Sequence, residues 1–215
     1  AECIMGMRPQ TGGRVLLCGE DVSRKTPGEI RRRGVSFIPE DRMTTGVDGK
    51  ASVAENLLVG KQRRPEFSLL GGLHLRRRQV KKYAAEQAKK FDIRISGVDD
   101  PVSSLSGGNM QKVVIAREFS FDSPVLVVSQ PTRGVDIGAI EFIHEHIMQK
   151  RNEGCAILLI SADLDELFRL SDRLVTLYEG RITGSFRTEE ITREEIGYYM
   201  TGGGKDELAE NAAKE

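Results

Sequence analysis

The sequence predicts an α/β fold: a mostly parallel sheet with flanking helices, interrupted by an inserted helical subdomain. Three observations predict it. The runs VSFIP, PVLVVS and AILLIS are continuously apolar, the mark of strands buried on both faces. Helical patterns alternate with these runs, as a parallel sheet covered by helices requires. Between residues 52 and 120 the strand-like runs stop and helical periodicity replaces them.

In order along the chain, AECIMGMRPQ opens as though partway through a helix, with no cap before it. Arg14–Cys18 reads as a short strand followed by a turn. TPGEIRRRG has a Thr-Pro start and a glycine stop, so it is a short helix. VSFIP is a strand ended by Pro39, and EDRMTTGVDGKA is a polar, glycine-bearing loop. Ser52 with Glu55 three residues on is a capping box, opening the helix of SVAENLLVG. The basic helix RRRQVKKYAAEQAKKFDI carries an apolar stripe of Val80, Tyr83, Ala84, Ala88 and Phe91, so its charges belong to a solvated face. The region 52–120 reads as all-helical. After it come the strand Pro124–Ser129 and a helix with Ile140, Ile143, Ile147 and Met148 inward, stopped by Gly154. A second buried strand, AILLIS, precedes the helix ADLDELFRLS and a hairpin turning at Glu179-Gly180. The expected organisation is a core from 1–51 and 121–200, a helical subdomain at 52–120 and a flexible tail at 201–215.

Composition narrows the classes. The 215 residues are 30% charged and 39% hydrophobic, with zero net charge, so nothing global argues for nucleic acid or an anionic surface. Three scattered cysteines, Cys3, Cys18 and Cys155, argue against a disulfide framework or a zinc site and fit a reducing cytosol. No apolar run approaches the ~20 residues of a membrane helix. KDEL at 205–208 is not an ER address, because Glu215 ends the sequence.

The chemistry concentrates in SSLSGGNMQKVVIAREFS. Ser106, Gly107 and Gly108 precede a helix starting near Asn109. The glycines let backbone approach an anion, and the helix offers unpaired N–H groups at its positive end. On these residues alone an ordinary N-cap is the commoner reading.

The ordered set LSGGNMQK, VLVVSQPT, TRGVD and ISADLDE resembles the ATP-binding cassette (ABC) ATPases of membrane transporters, over Met5 to about Phe186. The resemblance implies a RecA-like ABC nucleotide-binding domain. In it, Ser106, Gly107, Gly108 and Gln111 fall in the signature motif and touch a nucleotide held by a facing cassette. Asp136 matches the D-loop aspartate, and Glu40 takes the Q-loop position, or Asp41 with a shift of one residue. PEDR, LSGGNMQK and QPTRGVD look like the second, C-terminal cassette of importers that carry two cassettes on one polypeptide and serve sugars and nucleosides. GAIEFIH and ISADLDELFRLSDR lean towards the nucleoside type. The implied cofactors are ATP and Mg²⁺ at the cassette–cassette interface, with none bound to this chain alone. The implied partners are a second cassette and a transmembrane permease, whose coupling helix would enter a groove near Glu40 to Val53. The implied place is the cytoplasmic face of the cell membrane.

The sequence also departs from a working ATPase of that family. No G-x-x-x-x-G-K-[ST] phosphate loop occurs in it: GVDGKAS has Thr44 where the first glycine belongs, and Lys205 of GGGKDE is followed by Asp206. The expectation is that Ala1 follows shortly after such a loop, in a fragment of a longer protein. The Walker B positions hold Ser129 and Gln130 instead of Asp and Glu, and the switch position holds Ala162. Loss of a metal ligand and a water-orienting group lowers turnover by roughly 10³-fold or more. The expected role is therefore to complete a partner's site while hydrolysing poorly or not at all. Two alternatives stand beside it: a non-enzymatic interaction or regulatory module, and the soluble cassettes of DNA repair or ribosomes. Those cassettes keep their Walker B acids, and no nucleic-acid surface is legible here. His144 and His146, two apart on a helix, cannot form a metal pair. His74 reads as a loop residue; Asp163, Asp165 and Glu166 read as a solvated helix start; Met110 and Phe119 read as packing.

Overall fold

The computed structural model describes residues 1–203. The chain forms two compact units, Ala1–Ile160 and Ser161–Glu215. The expected helical subdomain, 52–120, lies wholly within the first.

In the first unit, residues 1–7 make the hydrogen bonds of a helix C-terminal turn, Gly6 N–H to Cys3 O and Met7 N–H to Glu2 O, with Gly6 at φ 67°. A hairpin of β1 (Leu16–Leu17) and β2 (Glu20–Asp21) follows, then α1 (Pro27–Arg32), closed at its start by the Thr26–Glu29 capping box. The central sheet is parallel, in the order β3 (Val35–Ile38), β6 (Val125–Ser129), β7 (Ala156–Ile160). The segment between β3 and β6 contains α2 (Val53–Leu58), β4 (Ser68–Leu69), β5 (His74–Leu75), α3 (Arg77–Lys90) and α4 (Gly107–Phe119). A single helix, α5 (Ile137–Asn152), joins β6 to β7 as in any βαβ unit.

The helix α4 is the hub. From Met110 to Phe119 every residue except Lys112 is buried, and the helix contacts α2, α3, α5 and β3. Its far end carries Glu118, which is fully buried and surrounded by donors. Arg31 Nη1 and Nη2 each donate to it at 3.0 Å, Arg117 Nε at 2.8 Å and the Phe37 N–H at 3.2 Å. Arg117 Nη1 also donates to Gly46 O at 2.7 Å. One carboxylate thus joins α1, β3 and α4, and Arg117 extends the network to the loop after β3.

In the second unit, α6 (Leu164–Leu170) precedes the antiparallel hairpin β8 (Arg173–Tyr178) and β9 (Arg181–Arg187). Glu179 (φ 48°) and Gly180 (φ 77°) turn it, the geometry of a two-residue primed turn. Then α7 (Arg193–Met200) starts on the Thr192–Glu195 capping box, and Leu174, Ile191 and Ile196 form the core.

Several expectations are corrected. The first strand is only two residues long, because Cys18 (φ 50°) and Gly19 (φ 87°) turn the chain back at once. The polar loop after β3 contains a single π-helical turn, Arg42–Gly46, with Asp41 accepting from the Met43 and Thr44 N–H groups at 2.9 and 3.2 Å. Region 52–120 is not all helical: β4 and β5 form a small hairpin, and His74 is in its second strand. β7 is an edge strand rather than a buried one, with Leu158 42% exposed. Glu166 is buried, while Asp163 caps α6 as expected. The tail expected over 201–215 lies, from 204 onward, outside the described residues.

Candidate functional site

Ser106 is the N-cap of α4, in extended conformation (φ −64°, ψ 158°), and its exposed Oγ accepts from the Asn109 N–H at 3.4 Å and Asn109 Nδ2 at 3.0 Å. The helix begins at Gly107, two residues earlier than the sequence suggests. The capping reading holds: Ser106 takes up the Asn109 N–H at the start of a thirteen-residue helix, whose positive end lies at Gly107 and Gly108.

The glycines have a second reason to be glycines. A Cβ on Gly107 would come within 2.7 Å of Arg42 Nη2 and 3.3 Å of Gly134 O. A Cβ on Gly108 would come within 2.8 Å of Asp136 Oδ2 and 3.3 Å of the Ala139 side chain. The knot is therefore closed from behind by the chain's own loop, and the absent side chains make that closure possible.

Two residues hold the loop in place. Arg42, in the π turn, donates from Nη1 to Arg133 O at 2.7 Å and from Nη2 to Gly134 O at 3.1 Å. Asp136 caps α5 by accepting from the Ala139 N–H at 2.9 Å. Arg42, Gly134, Asp136 and the Gly107-Gly108 pair, far apart in sequence, meet at one place. Arg42 and Gly134 were invisible as partners in the sequence because 92 residues separate them; PEDR and PTRGVD were only motif strings there.

The remaining candidates divide. Glu40, expected at a Q-loop position, is exposed and paired with Arg133. Asp41's carboxyl is held below the usual carboxylate range by hydrogen bonds from Thr44 and Met43. Gln111 is only 2% exposed, so its side chain is not on the surface that Ser106 presents. Ser129 ends β6, buried, and Gln130 follows at φ 49°, its N–H donating to Ile160 O at 2.8 Å. Ala162 belongs to the second unit.

A cleft of about 1000 Å³ opens in the first unit, lined by Phe37, Glu40, Arg42, Ser129 and Arg133 among others. Its carboxylates are engaged: Glu2 with Arg8, Glu40 with Arg133, and Asp41 with the turn that it caps. With a serine where a metal-binding carboxylate would stand, the residues of this cleft do not fit Mg²⁺. At the start of α4 two opposite charges lie behind the glycines, the Arg42 guanidinium behind Gly107 and the Asp136 carboxylate behind Gly108.

Comparison with known proteins is consistent with this geometry. The family described as ABC transporter matches residues 1–133. The nucleoside import ATP-binding protein NupA of Lactococcus lactis subsp. cremoris is 39% identical over 206 residues, 96% of this chain and 40% of that protein. The glucose import ATP-binding protein TsgD13 of Haloferax volcanii is 42% identical over 206 residues, 95% of this chain and 37% of that protein. The chain thus spans about two fifths of the length of these curated relatives. A crystal structure of a nucleotide-free ATP-binding cassette from an ABC transporter superposes with TM-score 0.69 at 25% identity, covering 93% of this chain and 78% of that one.

Proposed function

The chain belongs to the ABC transporter family, and from that premise we propose that it serves an importer for nucleosides or simple sugars by completing the nucleotide site of a facing cassette. It acts as a C-terminal cassette of a tandem pair. Ser106 and the N–H groups at Gly107 and Gly108 meet the terminal phosphate of an ATP that the other cassette holds. Gln111 stays inside and positions the helix. The observation that carries the reading is an asymmetry: Ser106 is exposed at the start of α4 with Arg42 and Asp136 packed behind its glycines, while the positions that would supply metal-binding acids hold Ser129 and Gln130.

The bound ATP and Mg²⁺ supply the phosphoryl group and its charge neutralisation. This chain's residues orient and neutralise. Backbone N–H groups that are already aligned stabilise charge without reorganising, which makes them effective at a phosphate. The permease partner docks along Glu40 to Val53 on the cytoplasmic face of the membrane. The relatives named for nucleoside and glucose import support the solute class.

ATP turnover tests the reading. The chain alone should not hydrolyse ATP above a Ser106→Arg control. In the tandem protein, Gly107→Asp should abolish turnover at the partner's site. Turnover by the isolated chain, or full transport with Gly107→Asp, contradicts the proposal.

A further inference from the structure

The hairpin β4–β5 has no part in the site above, yet its surface is unusual. Leu69, Leu73 and Leu75 are 46%, 86% and 38% exposed. Its base is fixed: Arg76 N–H donates to Phe67 O at 2.8 Å, and the buried Phe67 ring packs on Tyr83 at 4.9 Å. The leucines therefore project from an anchored base. Around them the charge is one-sided. Positions 61–82 hold eight Lys and Arg residues, of which Lys61 is buried and seven are exposed, against one acidic residue, Glu66. Arg64, Lys81 and Lys82 have acidic partners. Arg63, Arg76, Arg77 and Arg78 are exposed and make no ion pair among the described residues.

We propose that this hairpin and its arginine collar form a contact surface for an anionic lipid bilayer. Leucines that enter the headgroup boundary lose water, and arginines around them meet lipid phosphates; the two terms act at the same depth. Charge complementarity selects the lipid: zwitterionic headgroups answer only the leucines. A nucleic acid would also answer the arginines, but stacking on bases needs exposed rings, and the hairpin's own aromatic, Phe67, is buried. The proposal goes beyond the site reading, because a bilayer carries neither ATP nor a second cassette.

Flotation of the chain with vesicles tests it, comparing phosphatidylcholine alone with phosphatidylcholine containing one-third phosphatidylglycerol. Binding should require the anionic lipid and weaken as salt rises. Each arginine near such a surface contributes about fivefold, so Arg76→Ser with Arg78→Ser should lower partitioning roughly 25-fold. Leu73→Ser should weaken the binding that survives high salt. All these positions are exposed, so thermal unfolding should be unchanged and the variants remain comparable. Equal binding to both vesicles, no binding to either, retention by the double arginine variant, or displacement from vesicles by duplex DNA overturns the proposal. None of those outcomes bears on the ATP-turnover test.

Discussion

The guanidinium of Arg42 occupies the space into which a side chain on Gly107 would grow: a Cβ there would lie 2.7 Å from Nη2. The same guanidinium holds Arg133 O and Gly134 O. A methyl at Gly107 would push the flexible end of Arg42 off Gly134 O, so Gly107→Ala should cost about 1 kcal/mol, the worth of that hydrogen bond. Arg42→Ala removes the obstacle. In a double-mutant cycle by urea unfolding, the pair should cost less than the sum of the singles by about 0.5 kcal/mol or more. Simple additivity would show that the two residues do not touch.

Glu118 should be the most sensitive polar position in the first unit. Glu118→Gln leaves Arg31 and Arg117 facing a neutral amide in a buried pocket. Breaking one side of a buried ion network costs about 3–5 kcal/mol. Chemical unfolding of the variant should show a loss in that range; a change under 1 kcal/mol would contradict the buried network.

Lys61 gives the chain an alkaline signature. It is buried, lies over the rings of Tyr83 and Phe121 at 4.8 Å each, and donates to Tyr83 Oη and Ser120 Oγ. Burial, then the nearby Arg64 charge, push its ammonium down to about 8, against 10.5 when free. A basic group lowered on folding binds fewer protons in the native state. Its penalty is complete below pH 8 and vanishes above 10.5, so stability from this group rises with pH across that window. Lys61→Met strands no partner, because Tyr83 Oη donates to Ser120 Oγ and Ser120 Oγ donates to Arg117 O. The variant's advantage over the natural chain, up to about 3 kcal/mol at pH 7, should shrink between pH 8 and 10.5. A difference independent of pH would exclude a charged, buried Lys61.

Three capping boxes should titrate alike. Glu29, Glu55 and Glu195 are each held below the usual glutamate value, chiefly by the backbone N–H of Thr26, Ser52 and Thr192 respectively. Acids lowered on folding contribute stability that is present above their unfolded value and lost as pH falls through the folded one. Carboxyl NMR titration should place all three midpoints under that of a free glutamate, and Ser52→Ala should raise the midpoint of Glu55.

Much of this architecture was legible because its causes are local. The Ser52–Glu55 capping box, the apolar strand runs and the Glu179-Gly180 turn each act within a few residues, and each appeared at its expected place. The β4–β5 hairpin escaped notice because two-residue strands have no period to detect. Glu166 looked solvated because its burial comes from packing that a helix-start pattern does not encode. At the site, the residue types of the knot were readable from their spacing. What holds them was not: Arg42 to Gly134 and Arg31 to Glu118 are contacts across 92 and 87 residues, and no local signal announces such pairs.

Those separations also set an order of events during synthesis. Val35 finds its sheet partner only at Val125, and Arg31 meets Glu118 only 87 residues later. At about 5–20 residues per second, the ribosome leaves the apolar segment Val35–Ile38 waiting roughly 4–17 s before its neighbours emerge. Through that interval a nascent chain displays an unpaired apolar strand, which makes this stretch the natural point of engagement for a holding chaperone and the place where slowed translation would first lead to aggregation.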